Sequence, residues 1–253
     1  MTRHKMYKHS HMISLRSLRL LAAAMSVTAS MSPASAQVGD ARNDFAVGVT
    51  AGYTMTKMDF MPRIKQKNMG APMFGFAARY VCEKYFTTVC GVVAEVQMAK
   101  LGWEEIIEDG TGNTYKRDLN YVQVPILMQM GWGRERKGFK FLFEAGPQLG
   151  CYISGKEHKG GGEWNTSLRP NHVTHQYGRE PDNKFDYGIT AGLGLEFSSP
   201  IGHFLLQGRY YYGLGDIYDN SKRGYFSRSA HQTVGVKMTY LFDIVKTKND
   251  GIK

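Results

Sequence analysis

The segment FDYGITAGLGLEF, Phe185 to Phe197, alternates without a break. Phe185, Tyr187, Ile189, Ala191, Leu193, Leu195 and Phe197 share one face; Asp186, Gly188, Thr190, Gly192, Gly194 and Glu196 share the other. Successive side chains of a strand point to opposite faces, so strict alternation over this length specifies a β-strand. Two solutions remain open at this point. The bulky face can fill a core with the small polar face in water. Or it can meet lipid, with the small polar face turned inward.

The pattern recurs, and eight strands are predicted: Asp44 to Met55, Ala71 to Cys82, Thr88 to Trp103, Leu119 to Trp132, Phe139 to Ser154, Phe185 to Phe197, His203 to Ile217 and Ala230 to Asp243. Three connections are short: 83–87, 133–138 and 198–202. Four are longer: 56–70, 104–118, 155–183 and 218–229. Short turns at one end and long loops at the other mark outer-membrane barrels. The smaller face mixes glycine with charge: Gly91, Glu95 and Gln97 in the third strand, Lys140, Glu144, Gly146, Gln148 and Gly150 in the fifth. Glycine weakens a solvated strand and packs nothing. Inside a narrow barrel it makes room for long side chains from neighbouring strands. Closure also bonds every backbone group in the bilayer. A strand of about 12 residues, at roughly 3.3 Å each and tilted about 40°, rises about 30 Å, enough for an apolar band of about 25 Å. Aromatic residues near strand ends, including Tyr53, Tyr80, Tyr85, Trp103, Trp132, Phe139, Tyr152 and Tyr210 to Tyr212, suit interfacial girdles. The expected fold is all-β: an eight-stranded antiparallel transmembrane up-and-down β-barrel. Pro125 and Pro147 oppose it locally, because proline removes a ladder donor. They require either a bulge or a nitrogen at a site without a ladder bond.

Residues 1–36 read as a signal peptide. Arg3, Lys5, Lys8, Arg16 and Arg19 precede or border an apolar run, and Ala34-Ser35-Ala36 supplies a small-residue cleavage pattern. Met6 and Met12 are alternative starts. No Cys follows the cleavage pattern, so a lipid anchor is not expected. The barrel domain then covers 37–243, and 244–253 is a short polar tail. Removing the leader leaves 27 basic against 22 acidic residues, a net charge of +5 where the full chain has +10. Half of the basic excess belongs to the export signal, which removes the compositional case for nucleic-acid binding.

NYVQVPILMQM, FEAGPQLGCYISG, FDYGITAGLGLEF and GRYYYGLGDIYD, in this order, resemble the PorT-like outer-membrane β-barrel proteins of Bacteroidetes. The likeness spans roughly Phe45 to Phe242, and Pro125 and Pro147 both fit the family's pattern. It implies an eight-stranded barrel in the cell outer membrane. The founding member is implicated in a secretion system that exports proteases, so secretion-system proteins are implied partners. The chain departs from barrels that end at an aromatic residue by continuing past Phe242 as DIVKTKNDGIK.

The predicted inner face carries Arg79, Glu95, Lys140, Glu144, Asp186, Glu196, Arg209 and Lys237. Eight strands leave space for side chains and little else, and buried charges must be paired. A paired network filling the lumen is therefore expected, with a selective pore as the alternative. Cys82 and Cys90 flank a turn with the same facing parity, which allows a disulfide; two unpaired thiols are the alternative. His172 and His175 in HVTH, with Ser167 nearby, carry no zincin pattern and no triad signature, so neither a metal, a cofactor nor catalysis is expected. The first long loop holds Lys57, Arg63, Lys65 and Lys67 against Asp59, and outer-membrane lipid and lipopolysaccharide phosphates are its expected partners, with an ordinary solvated loop as the alternative. The expected work is structural or adhesive. A soluble periplasmic lipocalin-like barrel and a narrow passive pore are the rival readings.

Overall fold

The computed structural model describes residues 40–247 except 168, 170, 171, 222 and 223. The expected signal peptide, residues 1–36, and the last residues of the expected tail lie outside the described residues. Among the described residues nine strands are present: β1 (Asp40–Met61), β2 (Gln66–Lys67), β3 (Met69–Tyr85), β4 (Thr88–Glu105), β5 (Thr114–Gly133), β6 (Gly138–Gly160), β7 (Phe185–Ser199), β8 (Gly202–Gly213) and β9 (Arg228–Val245). All but β2 form one antiparallel ring, in which sequence neighbours pair, β4 joins β5, and β1 closes against β9. The two-residue β2 is a flap on the top of β4, opposite Glu104 and Glu105.

The alternation resolves in favour of lipid. Phe76 is 72% exposed, Met128 66% and Met238 63%, and Val49, Val96, Ile189, Leu193 and Val236 stand on the same outer surface. Glu95, Glu144, Glu196 and Lys237 are buried. A soluble lipocalin-like barrel would place these two sets the other way round.

Glycine serves the lumen as expected. A Cβ at Gly192 would meet Arg209 Cγ at 2.9 Å and Glu144 Oε1 at 3.1 Å, and one at Gly131 would meet Lys140 Cδ at 2.6 Å. Both glycines vacate the volume through which a charged side chain crosses. The prolines use the second of their two options. The β4–β5 ladder keeps one register from Ala94↔Ile126 to Gln97↔Gln123 but omits the pairs between them, beside Pro125. The β5–β6 ladder does the same between Pro125↔Gln148 and Met128↔Ala145, beside Pro147. Each proline thus interrupts one ladder locally, without a bulge.

Four expectations change. Several strands overrun the predicted ends on the long-loop side, so 104–105 and 114–118 of the expected loop 104–118 belong to β4 and β5, and 155–160 of the expected loop 155–183 belong to β6. The seventh predicted strand ends at Gly213 rather than Ile217. β9 takes in Ile244 and Val245 from the expected tail, and the Thr247 N–H then donates to Asp44 at 2.7 Å. Finally, Cys82 and Cys90 are both free thiols. A register shift between Val81 and Glu83 leaves Cys82 in a bulge, where its thiol donates to the Cys90 carbonyl at 3.6 Å instead of meeting the Cys90 sulfur.

Candidate functional site: a filled lumen beneath an aromatic crown

The inward side chains form tiers. Near mid-height, Glu95 of β4 accepts both Arg209 guanidinium amines of β8 at 2.7 and 2.8 Å and also pairs with Lys237 of β9. Arg209 Nε reaches Glu144 of β6, which also accepts from Gln207 at 2.8 Å. Towards the short-turn end, Glu196 of β7 holds Arg79 at 2.8 Å, Lys140 at 3.2 Å and His203 at 2.7 Å; His203 in turn meets Asp243 at 3.0 Å. The mouth at that end is closed by a third set. Arg42 pairs with Asp44 at 2.7 Å and with Glu135 from the β5–β6 turn, and Lys84 reaches the same Glu135 at 2.8 Å. Sequence reasoning missed this set because Arg42 precedes the predicted first strand and Glu135 lies in a predicted turn.

Seven of the eight predicted lumen residues therefore enter two ionic tiers. Asp186 does not: its carboxylate accepts from the Tyr211 hydroxyl at 2.8 Å, and among the described residues it joins no ion pair. Tyr211 itself points inward and is buried, so only its neighbours Tyr210 and Tyr212 remain on the outer surface.

Beyond the lipid-facing belt the interior changes character. Phe60, Leu101, Trp103, Tyr115, Leu119, Ile217, Tyr218 and Phe226 are buried together inside the extended strands and the long loops. Phe60 meets Trp103 edge-on with centroids 5.1 Å apart and Phe226 at 5.2 Å, and Tyr115 meets Tyr177 at 4.7 Å. Trp103 was expected in an interfacial girdle. It is completely buried, because its odd position keeps it on the inner face of β4 after the strand has left the bilayer. The signal for this crown lay in the sequence: Leu101, Trp103, Leu119 and Tyr121 share parity with the lumen residues Gln97 and Gln123.

A cavity of about 240 Å³ opens on the crown between Ile64, Glu105, Ile107, Arg169, Val173 and Gln176. Glu105 accepts from Trp103 at 3.2 Å, Gln176 at 3.0 Å and Tyr177 at 2.8 Å, while burial pushes its carboxyl above the usual glutamate value. Arg169 is paired with Asp109 and lies 4.7 Å over the Trp164 ring. The HVTH histidines do not converge on this cavity: His175 stacks on Tyr225 at 3.9 Å, and His172 is exposed. Ser167 donates to Asn165 within its own loop. Among the described residues no group of three His, Cys, Asp or Glu is placed to hold a metal.

Lys65 and Lys67 of the first loop have acidic partners, and the loop's own acid is taken by another strand. Lys65 pairs with Glu108 at 2.6 Å, Lys67 lies 3.8 Å from Glu104, and Asp59 is taken by Arg228 at 2.6 Å.

An apolar outer belt, a closed ring and an ionic interior define a transmembrane β-barrel of the outer-membrane type. The chain belongs to the outer membrane protein beta-barrel domain family, whose model matches residues 35–219, and it is a protein of the cell outer membrane. Similar solved structures include the attachment invasion locus protein Ail of Yersinia pestis in complex with the heparin analogue sucrose octasulfate, 15% identical over 79% of this chain and 99% of that chain, TM-score 0.35. The outer membrane protein OprG of Pseudomonas aeruginosa is 12% identical over 81% of this chain and 98% of that chain, TM-score 0.45. Neisserial surface protein A is 9% identical over 78% of this chain and 97% of that chain, TM-score 0.38. No curated protein matches the chain.

Proposed function

We propose that this protein is a closed barrel whose work is structural or adhesive, done by its outer wall and crown, with no catalysis and no conduction. One observation carries the reading: the lumen is occupied at every tier, by paired ions at membrane depth and by aromatic rings above. An eight-stranded ring leaves space for side chains and little more. A passive pore would need a continuous watery path past Glu95–Arg209–Lys237 and then past Phe60 and Trp103. Planar-bilayer recording on the refolded full chain tests this. The expected trace is flat, and a steady open current would overturn the closed-barrel reading.

The narrower form of the proposal is a place in a protein-secretion apparatus. Its support is the resemblance of NYVQVPILMQM, FEAGPQLGCYISG, FDYGITAGLGLEF and GRYYYGLGDIYD to the PorT-like barrels. Mild crosslinking in cells followed by co-purification should recover other envelope proteins of such an apparatus. Recovery of the barrel alone would remove this narrower form and leave the structural reading standing.

A further inference from the structure

The outer surface of β4, β5 and β6 changes abruptly just above the belt. Met98 and Val122 are paired across β4 and β5 in the last apolar layer. The next outward positions on the same strands are Lys100 and Asn120, then Asp118, then Lys116; on β6 they are Ser154, Lys156 and His158. Two to six residues beyond the belt correspond to roughly 5–15 Å of rise. That is the headgroup zone of the leaflet on the long-loop side, and these side chains point sideways into it: on β4 and β5 they share parity with the lipid-facing residues, and on β6 the register shift between Tyr121↔Tyr152 and Asn120↔Ser154 turns the even positions outward.

Charge in this patch is unbalanced. Lys100, Lys116 and His158 lie 3.7, 3.4 and 3.5 Å from the single carboxylate of Asp118, and Lys156 is its cross-strand partner. Glu104 stands opposite Lys116 but is also shared with Lys67. Good charge-assisted bonds are about 2.7–2.9 Å, so these ammonium groups are gathered but not saturated. By contrast, Lys65–Glu108 at 2.6 Å and Arg228–Asp59 at 2.6 Å each close one to one. A fence of cations around one carboxylate, at headgroup height, matches phosphate oxygens, which take several cationic donors at once.

We propose that Lys100, Lys116 and Lys156, with His158, form a docking surface for the phosphorylated headgroup of an outer-leaflet glycolipid. The occupant is lipid rather than a soluble anion because the surface stands directly over the acyl-chain belt and faces along the membrane, so a headgroup whose tails pack on Met98 and Val122 arrives at this height. The proposal rests on the outer-membrane reading and moves the expected lipopolysaccharide contact from the first loop to the β4–β6 wall.

The test uses the refolded full chain in zwitterionic detergent, with bound lipid counted by native mass spectrometry. Purified bisphosphorylated lipid A is compared with its dephosphorylated form. Wild type should prefer the phosphorylated lipid by about 100-fold, at roughly a factor of five per lysine. Lys100→Gln/Lys116→Gln/Lys156→Gln should reduce that preference to within a few-fold, while Lys57→Gln/Lys65→Gln/Lys67→Gln should keep it. Inorganic phosphate should not displace the lipid. Equal preference in wild type, a preference surviving the wall variant, or displacement by inorganic phosphate would each overturn the proposal. Heat-modifiable migration on a gel, run for every variant, reports separately on the barrel itself. Its loss in wild type would overturn the outer-membrane barrel and the lipid surface with it, whereas the lipid-counting outcomes bear on the surface alone.

Discussion

The two halves of the barrel obey one geometry and opposite chemistry. At membrane depth the outer positions are Val96, Met128, Leu193 and Met238, and the inner ones are Glu95, Glu144, Arg209 and Lys237. Further towards the long loops, on β4, β5 and β6, the outer positions are Lys100, Lys116, Lys156 and His158, and the inner ones on β4 and β5 are Leu101, Trp103, Tyr115 and Leu119. Parity holds along β4 and β5 and shifts once on β6, at the irregularity between Tyr152 and Ser154; the solvent changes on all three. Where lipid surrounds the ring, apolar groups gain nothing by turning in, and the narrow interior takes the ions. Where water surrounds it, the hydrophobic effect returns and the same ring folds as a soluble barrel would, greasy side inward. The protein is a membrane barrel carrying a water-soluble barrel on its rim.

The comparison is most exposed to attack in the ionic tiers. Glu196 is fully buried and holds Arg79, Lys140 and His203. Glu196→Leu leaves buried cations without their shared anion and should cost about 3–5 kcal/mol in urea unfolding of the detergent-refolded protein. The triple change Arg79→Met/Lys140→Met/Glu196→Leu should recover most of that loss, since apolar replacement of a whole buried ion set is often neutral. Failure of the triple to recover would show that the tier cannot be exchanged for an apolar filling. In the crown, the corresponding step is Trp103→Ala, at about 3 kcal/mol from lost packing. Limited proteolysis should then cleave the long loops while the transmembrane part stays heat-modifiable. Simultaneous loss of both would mean the two halves fold as one unit.

A third substitution pair measures the inversion directly. Met238 faces lipid near mid-height, and Thr114 faces water on the crown. Met238→Arg should cost about 2 kcal/mol or more, the depth-dependent charge penalty of a barrel's lipid face. Thr114→Arg should fall within about 0.5 kcal/mol of wild type. Equal costs at the two sites would place the water boundary elsewhere.

Alternation alone made the ring legible. FDYGITAGLGLEF became β7 within two residues, and the outward face of every strand was read correctly because facing period is a local property of the backbone. Which ions meet was not legible: Arg209 and Glu95 are 114 residues apart, and only closure of the ring and the tilt of its strands set them face to face. The crown was missed for a different reason. Leu101, Trp103 and Tyr115 kept the parity of the lumen but not its polarity, and an apolar inner face contradicted the membrane rule that had explained everything below it. Trp103 was assigned to a girdle on composition when its position number already placed it inside.

The smallest predicted effect concerns a buried crown carboxyl, Glu105. Burial raises Glu105, and the Tyr177, Trp103 and Gln176 donors only partly offset that. Its folded value thus lies above the unfolded one, so its contribution is intact below the usual glutamate value of 4.5 and is lost as pH climbs from there through the raised value. Other crown carboxyls run the other way. Burial alone would raise Glu157, but the Gly178 N–H and Lys159 hold it below its usual value, so its stabilisation is lost as pH falls. The readable quantity is therefore the difference between wild type and Glu105→Gln, which removes one titration and leaves the rest. Protease resistance of the crown, measured from pH 4 to 7.5, should fall in wild type relative to Glu105→Gln as the pH rises. If wild type instead gains on the variant as pH rises, Glu105 is stabilised as an anion. The cavity beside it would then be a wet ionic pocket and not the edge of an apolar core, and the boundary between the two chemistries would run through the crown rather than beneath it.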